Sequence, residues 1–285
     1  MERSMKLLEG KTAVITGSSR GLGFAIAKAF VGQGANVILA ARTEETLNSA
    51  VAELRDQGYK AKGFVCDTAK LEDVERLVQG AVVTFGRLDI WVNNAGIGAP
   101  YGLTMSISPE RIRKLVDTNI LGVYYGSHVA MRQFLAQGSG KLINLLGRGD
   151  STPVPYHNPY ASSKAWVKSF TQALAKEYAG SGVQVMAINP GLVITEMLTQ
   201  VDAIDGFQEK VLPLNTVIRL WGNMPEVPAQ KVGWMSSSAT DRKNGLMVNF
   251  LSFDRLMAGV GKELWRYITR VPSSKPSIQV RVTDG

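Results

Sequence analysis

Three glycines within one short turn constrain the fold of this chain more than any other feature. An apolar run, residues 11–16 (KTAVIT), leads directly into residues 17–23 (GSSRGLG), and an apolar helical pattern then continues to Gly32. Glycine supplies the backbone freedom that a tight turn requires, so this order predicts a strand, a turn and a helix. The chain therefore opens with a strand–helix unit whose connection is very tight.

The alternation of strand and helix patterns continues along the chain. Further apolar runs predict strands at residues 36–42, 62–67, 88–96, 140–146, 183–191 and 245–252, with helical patterns between them, one of which spans 108–137. Strands that alternate with helices of about a dozen residues form right-handed crossovers in a parallel sheet. We therefore predict a Rossmann-type α/β fold, a doubly wound seven-stranded parallel sheet with helices on both faces. It forms a single domain, residues 1–252, with residues 253–285 as a C-terminal extension of the same domain.

Composition and charge exclude several classes of protein. With 285 residues, 45% hydrophobic and 20% charged, the chain is typical of an ordered globular protein with a large core. The net charge of +8 is scattered and lacks an aromatic–basic pattern, so no nucleic-acid partner is predicted. No apolar run approaches the roughly 18 residues of a membrane span, and the first residues lack the apolar core of a signal peptide. A single cysteine, Cys66, fits a reducing compartment, and we expect a cytoplasmic protein with no membrane partner.

The glycine turn lies where parallel α/β sheets bind dinucleotides, between the first strand and the first helix. Glycines there let the backbone approach a pyrophosphate that rests on the helix N-terminus. An acidic residue after the second strand would hold the ribose hydroxyls of NAD, but this chain has Ala41 and Arg42 there, and Arg20 within the turn. Two guanidinium groups near the ribose suit a 2′-phosphate. We therefore predict NADP(H) as the cofactor, with NAD(H) as the less favoured alternative, and no metal site.

A second motif lies within residues 140–164, which begin as a strand, pass through a loop rich in glycine and proline, and end in YASSK at the start of a helix. Tyr160 and Lys164 are four residues apart and share one helix face. An ammonium beside a phenol stabilises the phenolate. We therefore expect Lys164 to lower the pKa of Tyr160 from its ordinary value of about 10, towards the range useful for proton transfer.

Together these motifs resemble the short-chain dehydrogenase/reductase family. TGSSRGLG, Asp67 after the third strand, NNAG, Asn119, YASSK and NPG with Thr195 occur in that family's order and spacing, over roughly residues 8–251. The resemblance implies that Tyr160 donates or accepts the proton, that Lys164 bonds the nicotinamide ribose, and that Asn119 holds a relay water. A helix cap for Asp67 and a buried structural amide for Asn119 are the simpler alternatives.

The resemblance also implies a set of cofactor-binding residues. They are Gly17, Ser19, Arg20, Gly21, Leu22 and Gly23 in the turn, Arg42 and Asp67 after the second and third strands, Asn94, Ala95 and Gly96 after the fourth, Tyr160 and Lys164, and Pro190, Gly191, Val193 and Thr195 after the sixth. The turn would surround the pyrophosphate, Asp67 would bond the adenine amino group, and the last group would cover the nicotinamide. A homodimer or homotetramer is implied as the assembly.

One position departs from the family's pattern. The family normally has a serine thirteen residues before the tyrosine, where it polarises the substrate carbonyl, but this chain has Gly147 there. Losing one such donor typically costs about 10² to 10³ in rate. In a first interpretation the protein still reduces a carbonyl or oxidises an alcohol, and the missing donor is replaced by Arg148 or by the hydroxyl of Ser151, Thr152 or Tyr156.

Two other interpretations stay open. In one, the substrate is an imine, or the reaction is a non-redox dehydration, isomerisation or cyclisation that needs no such donor. In the other, the protein binds its cofactor without catalysis and serves as a regulator. The presence of Tyr160, Lys164 and Asn119 argues against this last interpretation, because no structural requirement demands all three.

The segment after Thr195 predicts the substrate end of the molecule. Residues 192–225 are rich in Leu, Val, Ile and Met and predict a helical lid over a hydrophobic small-molecule substrate, or else a surface that packs on a second subunit. Residues 253–271 read as an amphipathic helix and residues 272–285 as an extended arm. Such an arm could cap the pocket, complete a partner's active site or fray.

Overall fold

The predicted strands assemble into one parallel sheet. The computed structural model describes residues 6–250 and 275–284, together with eight residues between 257 and 269. Within these residues the strands are β1 (Thr12–Thr16), β2 (Asn36–Ala41), β3 (Ala61–Val65), β4 (Ile90–Asn93), β5 (Gly140–Leu145), β6 (Val183–Asn189), β7 (Gln200–Ile204), β8 (Met247–Asn249) and β9 (Gln279–Thr283). Seven of them form a sheet in the order β3-β2-β1-β4-β5-β6-β8, and every neighbouring pair is parallel. The predicted Rossmann-type α/β fold is confirmed.

Helices cover both faces of this sheet. They are α1 (Gly21–Gly32), α2 (Glu44–Asp56), α3 (Leu71–Phe85), α4 (Pro109–Val116), α5 (Gly122–Gln137), α6 (Asn158–Glu177), α7 (Glu196–Thr199), α8 (Gln208–Val211), α9 (Pro213–Trp221) and α10 (Glu226–Ser236). One core cluster joins the sheet to α1, α2 and α10, and a second joins it to α3 and α5. Strands buried on both faces read as continuous apolar runs, which is why the sequence located them well. Among the described residues, no helix has both the length and the apolar composition required to cross a bilayer.

Three predicted boundaries differ from the structure. The single helix predicted over 108–137 is divided into α4 and α5 by a π-helical turn, Asp117–Leu121, which carries Asn119. Such turns insert an extra residue and are frequent at functional sites. Helix α6 begins at Asn158, earlier than predicted, because Pro159 is well tolerated in a first helical turn. The last sheet strand is shorter than 245–252, and residues 251 and 252 lie outside the described part of the chain.

The lid contains a strand that the sequence did not predict. Between α7 and α8 the chain forms β7, which pairs in parallel with β9 of the C-terminal arm over five residues. The predicted extended arm is therefore confirmed for residues 279–283, and it docks on the lid of its own chain. Most of the helix predicted at 253–271 lies outside the described residues.

A buried polar network ties the centre of the sheet to the helices behind it. The side chain of Asn93, at the end of β4, is buried, accepts a hydrogen bond from Trp91 Nε1 at 2.7 Å and donates to Asn144 Oδ1 on β5 at 2.8 Å. It also donates to Ser127 Oγ on α5 at 3.1 Å. Buried polar groups are stabilising only while they are paired, so this network fixes the end of β4 and the turn that follows it.

Replacing Asn93 tests this network. Asn93→Leu keeps the side-chain volume but leaves Trp91 Nε1 and Asn144 Oδ1 without their partner, and we expect the free energy of unfolding to fall by about 2–4 kcal/mol. Denaturant unfolding measures this loss. Ser127→Ala removes only the outermost partner and serves as the control, with a smaller expected loss. Equal unfolding free energies for wild type and Asn93→Leu would show that the network does not stabilise the sheet.

Candidate active site

The predicted site residues converge at the carboxyl edge of the sheet, where β1, β4, β5 and β6 end. A Cβ placed on Gly96, after β4, would lie 3.4 Å from Asn119 Oδ1 and 3.7 Å from Lys164 Nζ. A Cβ on Gly21, in the glycine turn, would lie 3.4 Å from Thr195 Cγ2. Ligands of open α/β sheets bind at this edge. The structure thus brings the four predicted motifs together at one edge of the sheet.

The glycine turn packs so closely on the segment after β4 that side chains would not fit there. Gly17 has φ +63°, and a Cβ there would lie 2.8 Å from Ala95 Cα. A Cβ on Gly23 would contact the Gly17 carbonyl and lie 2.5 Å from Asn94 Nδ2. The first turn of α1 carries no acidic residue. A tight glycine turn at an uncapped helix N-terminus fits the pyrophosphate of a dinucleotide.

Hydrogen bonds hold the neighbouring residues against the glycine turn. Asn94 Nδ2 donates to the carbonyl oxygens of Thr16 at 2.9 Å and of Gly17 at 3.0 Å, and the Ala95 amide donates to Thr16 Oγ1 at 3.0 Å. Leu22, by contrast, packs on the core beneath the turn. The NNAG segment therefore fixes the shape of the glycine turn.

The two predicted phosphate-binding arginines line different clefts. Arg42 is exposed and lines a cleft of about 350 Å³ together with Asp67 and, from α4, Arg113 and Lys114. Arg20 lines a second cleft of about 380 Å³ with Ser19, and its guanidinium forms an ion pair with Glu196 on α7. The convergence expected from sequence is thus not what the structure shows, because the lid carboxylate holds Arg20. The cations of α4 were not predicted as part of the site.

Asp67 stabilises a turn and also lines a cleft. Its Oδ1 accepts a hydrogen bond from the Ala69 amide at 3.2 Å, so the carboxylate braces the turn before α3. The same residue lines the cleft that contains Arg42. The adenine contact stays a prediction.

Lys164 is held behind Tyr160 on the first turns of α6. The Lys164 side chain is buried, and its Nζ donates to the carbonyl oxygen of Leu145, at the end of β5, at 3.0 Å. Nζ lies 5.7 Å from the centre of the Tyr160 ring. Burial lowers the pKa of Lys164 to about 8, because the charged ammonium has lost most of its hydration.

The pKa of Tyr160 moves in the direction opposite to the one expected from sequence. Burial, with smaller contributions from the phenol of Tyr101 and the carboxylate of Asp150, raises the pKa to about 12. Loss of hydration disfavours the phenolate, while the Lys164 ammonium is directed at the Leu145 carbonyl. At neutral pH the Tyr160 hydroxyl is therefore protonated, and within the described part of the chain it has no hydrogen-bond partner. Such a group is suited to donate a proton.

Gly147 occupies the position of the missing serine and touches the tyrosine directly. A Cβ at Gly147 would lie 2.6 Å from Tyr160 Oη and 3.5 Å from Lys164 Cγ. Its carbonyl accepts hydrogen bonds at 3.2 Å from Asn189 Nδ2 and from the Asp150 amide. The absence of a side chain at Gly147 thus lets the Tyr160 hydroxyl lie against the backbone.

The candidates for a replacement donor contact other groups. Arg148 is exposed, and its Nη1 donates to Tyr101 Oη at 3.5 Å. Thr152 is exposed, and exposed Ser151 is bonded to Asp150 and Lys168. Tyr156 has φ +64°, an unusual conformation for a bulky residue, and its ring lies 5.5 Å from that of Phe207 on the lid. Arg148 therefore contacts Tyr101, and its predicted role as the replacement donor stays a prediction.

Two aromatic side chains that the sequence analysis missed border Tyr160. The His157 imidazole stacks on the Tyr101 ring at 4.3 Å and on the Tyr160 ring at 4.9 Å. Burial and the Arg148 charge together lower the pKa of His157 to about 4, against the opposing effect of a hydrogen bond to the Ala99 backbone. The Nδ1 of His157 is buried without a partner among the described residues. The spacing of three residues between His157 and Tyr160, which places both at the start of one helix, is the signal that could have located the histidine.

Asn119 supports the loop after β4. Its side chain is fully buried and exchanges two hydrogen bonds with the Ile97 backbone, at 2.8 and 2.9 Å, and it donates to Ser163 Oγ at 3.2 Å. These contacts are those of the buried structural amide. The predicted relay water stays a prediction.

The loop after β6 completes the edge of the cleft. Pro190 is buried, and the Gly191 amide donates to Asn189 Oδ1 at 3.0 Å. Val193 pairs with Asn223 in an isolated bridge, and Thr195 begins α7. The predicted nicotinamide-covering residues thus connect the sheet to the lid.

Comparisons with known proteins agree with this geometry. The family model for short chain dehydrogenases matches residues 11–205. The (S)-acetoin-forming diacetyl reductase of Staphylococcus epidermidis is 39% identical over 193 residues, 67% of this chain and 75% of the relative. 3beta-Hydroxysteroid dehydrogenase 1 of Eggerthella lenta is 35% identical over 243 residues, 84% of this chain and 91% of the relative.

A solved structure shows the same architecture. The 3-ketoacyl-(acyl-carrier-protein) reductase of Brucella melitensis, in complex with NADH, superposes with a TM-score of 0.76 at 30% identity, covering 85% of this chain and 97% of that one. The chain therefore belongs to the short-chain dehydrogenase family. It is an oxidoreductase of that family, with a Rossmann fold and a site for a nicotinamide dinucleotide.

The buried lysine predicts a pH dependence of stability. Because folding lowers the pKa of Lys164 from 10.5 to about 8, the unfolded chain binds more protons between these values, and this contribution to the unfolding free energy rises with pH there. The slope for one group is at most about 1.4 kcal/mol per pH unit. Lys164→Met removes it.

Denaturant unfolding of wild type and Lys164→Met at pH 7, 8, 9 and 10 measures the difference. We expect Lys164→Met to have a higher free energy of unfolding than wild type at pH 7, and the difference between the two proteins to become smaller towards pH 10. Above pH 10 the raised pKa of Tyr160 acts in the opposite direction, since folding then binds a proton that the unfolded chain has lost. A difference in unfolding free energy that stays constant with pH would show that Lys164 is not desolvated.

Proposed function

We propose that this protein is an NADP(H)-dependent oxidoreductase that reduces a carbonyl group, or oxidises the corresponding alcohol, on a hydrophobic small molecule, with Tyr160 moving the proton. The observation that carries the proposal is the Tyr160 hydroxyl. It is protonated at neutral pH. Lys164 Nζ lies 5.7 Å from the centre of the Tyr160 ring, and both residues lie at the same sheet edge as the glycine turn.

The chain's own residues account for the proton step. A nicotinamide supplies or accepts the hydride when it is bound. As negative charge develops on the substrate oxygen, Tyr160 Oη donates its proton there, and the phenolate left behind is stabilised by the ammonium of Lys164. The hydrogen bond to the Leu145 carbonyl holds that ammonium in place.

The charge around the adenine end supports NADP(H). Arg42, Arg113 and Lys114 line the cleft after β2, and Ala41 stands where NAD-binding proteins place an acid. The same cleft carries the carboxylates of Asp67, Glu110 and Asp117, so Arg42, beside the position that lacks an acid, is the group that favours a 2′-phosphate. The Brucella reductase was solved with NADH, so the preference rests on the residues of this chain.

A hydrophobic substrate is supported by exposed apolar side chains on the lid and on the segment after β4. Met197 and Leu212 on the lid are 53% and 52% exposed, and Leu103 and Met105, beyond the turn after β4, are 54% and 90% exposed. Covering such side chains with an apolar ligand is favourable. The two relatives are named for a small diketone and for a steroid, which supports carbonyl and alcohol chemistry and leaves the substrate size open.

The glycine at position 147 is compatible with a second type of function. With no hydroxyl beside Tyr160, an imine substrate would suit the site, because a protonated imine needs no donor to polarise it. A non-redox dehydration, isomerisation or cyclisation is compatible for the same reason, and so is cofactor binding without catalysis. A screen that pairs NADPH with ketones, including diacetyl, and with cyclic imines separates these possibilities by the loss of NADPH absorbance.

We also propose a homodimer or homotetramer. Tyr124 on α5 is 44% exposed and lies 6.3 Å from Phe170 on α6, which stacks on Trp166 at 4.8 Å. This apolar face of two adjacent helices suits a second copy of the chain. Sedimentation of wild type and Tyr124→Glu measures the assembly.

Cofactor binding tests the charge argument. We expect NADPH to bind tighter than NADH, and Arg42→Ala to weaken NADPH binding by about tenfold or more while NADH binding changes little. Arg20→Ala should have the smaller effect, since Glu196 already holds that guanidinium. Glu196→Gln is the matched control and should strengthen NADPH binding by freeing Arg20. Fluorescence titration measures all four proteins, and an equal loss of both cofactors in Arg42→Ala would contradict the assignment.

Substitutions at Gly147 and Tyr160 test the chemistry. Tyr160→Phe removes the proton donor and should lower kcat by about 10² to 10⁴ with NADPH binding retained. Gly147→Ala adds a Cβ at the Tyr160 hydroxyl and should lower kcat, while Gly147→Ser adds the same Cβ together with a donor. The ratio of serine to alanine variant isolates the hydroxyl, and we expect it to exceed one for ketones and to equal one for imines. Unchanged turnover in Tyr160→Phe would refute the proposal.

A further inference from the structure

We propose that Tyr101 is a positioning residue for Tyr160, acting through the imidazole of His157, and that the C-terminal strand β9 holds Tyr101 in place through the lid strand β7. The inference deepens the proposed function, since it rests on Tyr160 as the proton donor. It assigns a role to the C-terminal arm, which the sequence left open.

The first step is the aromatic column. The rings of Tyr101 and His157 are 4.3 Å apart and nearly parallel, at 5°, and those of His157 and Tyr160 are 4.9 Å apart at 27°. His157 caps α6, and its carbonyl accepts a hydrogen bond from the Ala161 amide at 3.1 Å, so the helix start fixes its position. Flat contact on both faces of the imidazole leaves the Tyr160 ring little freedom to turn.

The second step is the backbone of Tyr101, which extends the lid sheet. Its amide donates to the Asp202 carbonyl at 2.8 Å, and its carbonyl accepts from the Ile204 amide at 2.8 Å. The neighbouring Gly102 packs so closely on this strand that a Cβ there would lie 2.6 Å from Ile204 Cδ1. The position of Tyr101 therefore follows the position of β7.

The third step is the arm, which completes that sheet. β9 pairs with β7 over its whole length, and Ile278 is buried in the apolar core of the lid. The Ile278 amide donates to Asn215 Oδ1 at 2.8 Å, and Arg281 Nε donates to Asp202 Oδ1 at 2.9 Å. Asp202 thus contacts the arm through its side chain and Tyr101 through its carbonyl. A short strand is stable only when paired and packed, so β7 depends on β9.

The stack of Tyr101, His157 and Tyr160 includes unfavourable features that packing alone would not require. The buried Nδ1 of His157 has no partner among the described residues, and an unpaired buried nitrogen is destabilising. The adjoining Tyr156 also has an unfavourable positive φ. Strained and unsatisfied groups that persist next to a reacting group indicate a positioning role. Such a role is needed here because no serine side chain stands at Gly147 to fix the reacting groups.

The chain offers a clean probe of this coupling, because it contains only two histidines, His128 and His157. In the wild-type protein the proton NMR signal of the His157 ring should titrate near pH 4, and that of His128 serves as an internal reference. Tyr101→Leu replaces a flat ring with a side chain that covers less of the imidazole, so the burial that lowers the pKa of His157 is reduced and the pKa should rise towards 6.5. Tyr101→Phe keeps the ring and loses only the Arg148 contact, so it should change the pKa much less.

The same signal tests the arm. Ile278→Asp places a charge in the lid core and should shift the His157 titration in the same direction as Tyr101→Leu, whereas Gln279→Asp adds the same charge at an exposed position of the arm and should not. Arg281→Ala gives a milder second test. An unaltered His128 signal and a cooperative thermal transition show that each variant is folded. No shift in Ile278→Asp and Arg281→Ala overturns the role of the arm, and no shift in Tyr101→Leu overturns the proposal.

Kinetics with NADPH and diacetyl then separate positioning from binding. Tyr101→Leu and Ile278→Asp should lower kcat by about 10- to 100-fold with little change in NADPH affinity, since small displacements of a reacting group have large effects. His157→Phe should restore most of the turnover lost in His157→Ala, because the stack is what matters. Turnover unaffected by Tyr101→Leu would overturn the positioning role. If wild type reduces no carbonyl, the proposed function fails, while the NMR titration still decides the coupling.

Discussion

The hydrogen bond from the Lys164 ammonium to the Leu145 carbonyl is the contact on which the rest of the site depends. It joins the second turn of α6 to the last residue of β5, and so sets the helix at the carboxyl edge of the sheet. A buried ammonium is costly unless it is paired, which explains why the surrounding residues are so constrained. Gly96 leaves room beside the Nζ, and Asn119 fixes the loop that carries Gly96. The cleft is thus built around one desolvated charge.

The glycine at position 147 changes how the phenol is held. A serine there would place a side chain in the space that the Tyr160 hydroxyl occupies, and would itself help to orient the substrate. In this chain the hydroxyl lies against backbone, and flat contact with His157 takes over part of the orientation. On our proposal, the groups that orient the phenol lie in the loops after β4 and β5, at Tyr101 and His157. The lid, which pairs with the backbone of Tyr101, would then take part in positioning the proton donor.

The sequence predicted those features that are determined by neighbouring residues. The buried strands and the glycine turn are local patterns, and they were located to within a few residues. The pairing of β7 with β9 joins positions about 79 residues apart, and neither strand is apolar enough to be recognised alone. For the same reason Tyr101 was missed, since its importance arises only from the strand beside it. The predicted lowering of the Tyr160 pKa was wrong, because the spacing to Lys164 indicates that the two side chains are close but does not show that the phenol is desolvated.

The two ends of the lid are attached with different strength. At the end near the glycine turn, Arg20 and Glu196 form an ion pair whose side chains are 73% and 57% exposed, and such pairs contribute about 0–1 kcal/mol. At the other end, β7 is held by five paired residues of β9 and by a buried apolar cluster. A phosphate competing for Arg20 could therefore release α7 while β7 and Tyr101 stay fixed. The lid can then admit a cofactor without disturbing the residues that orient the proton donor.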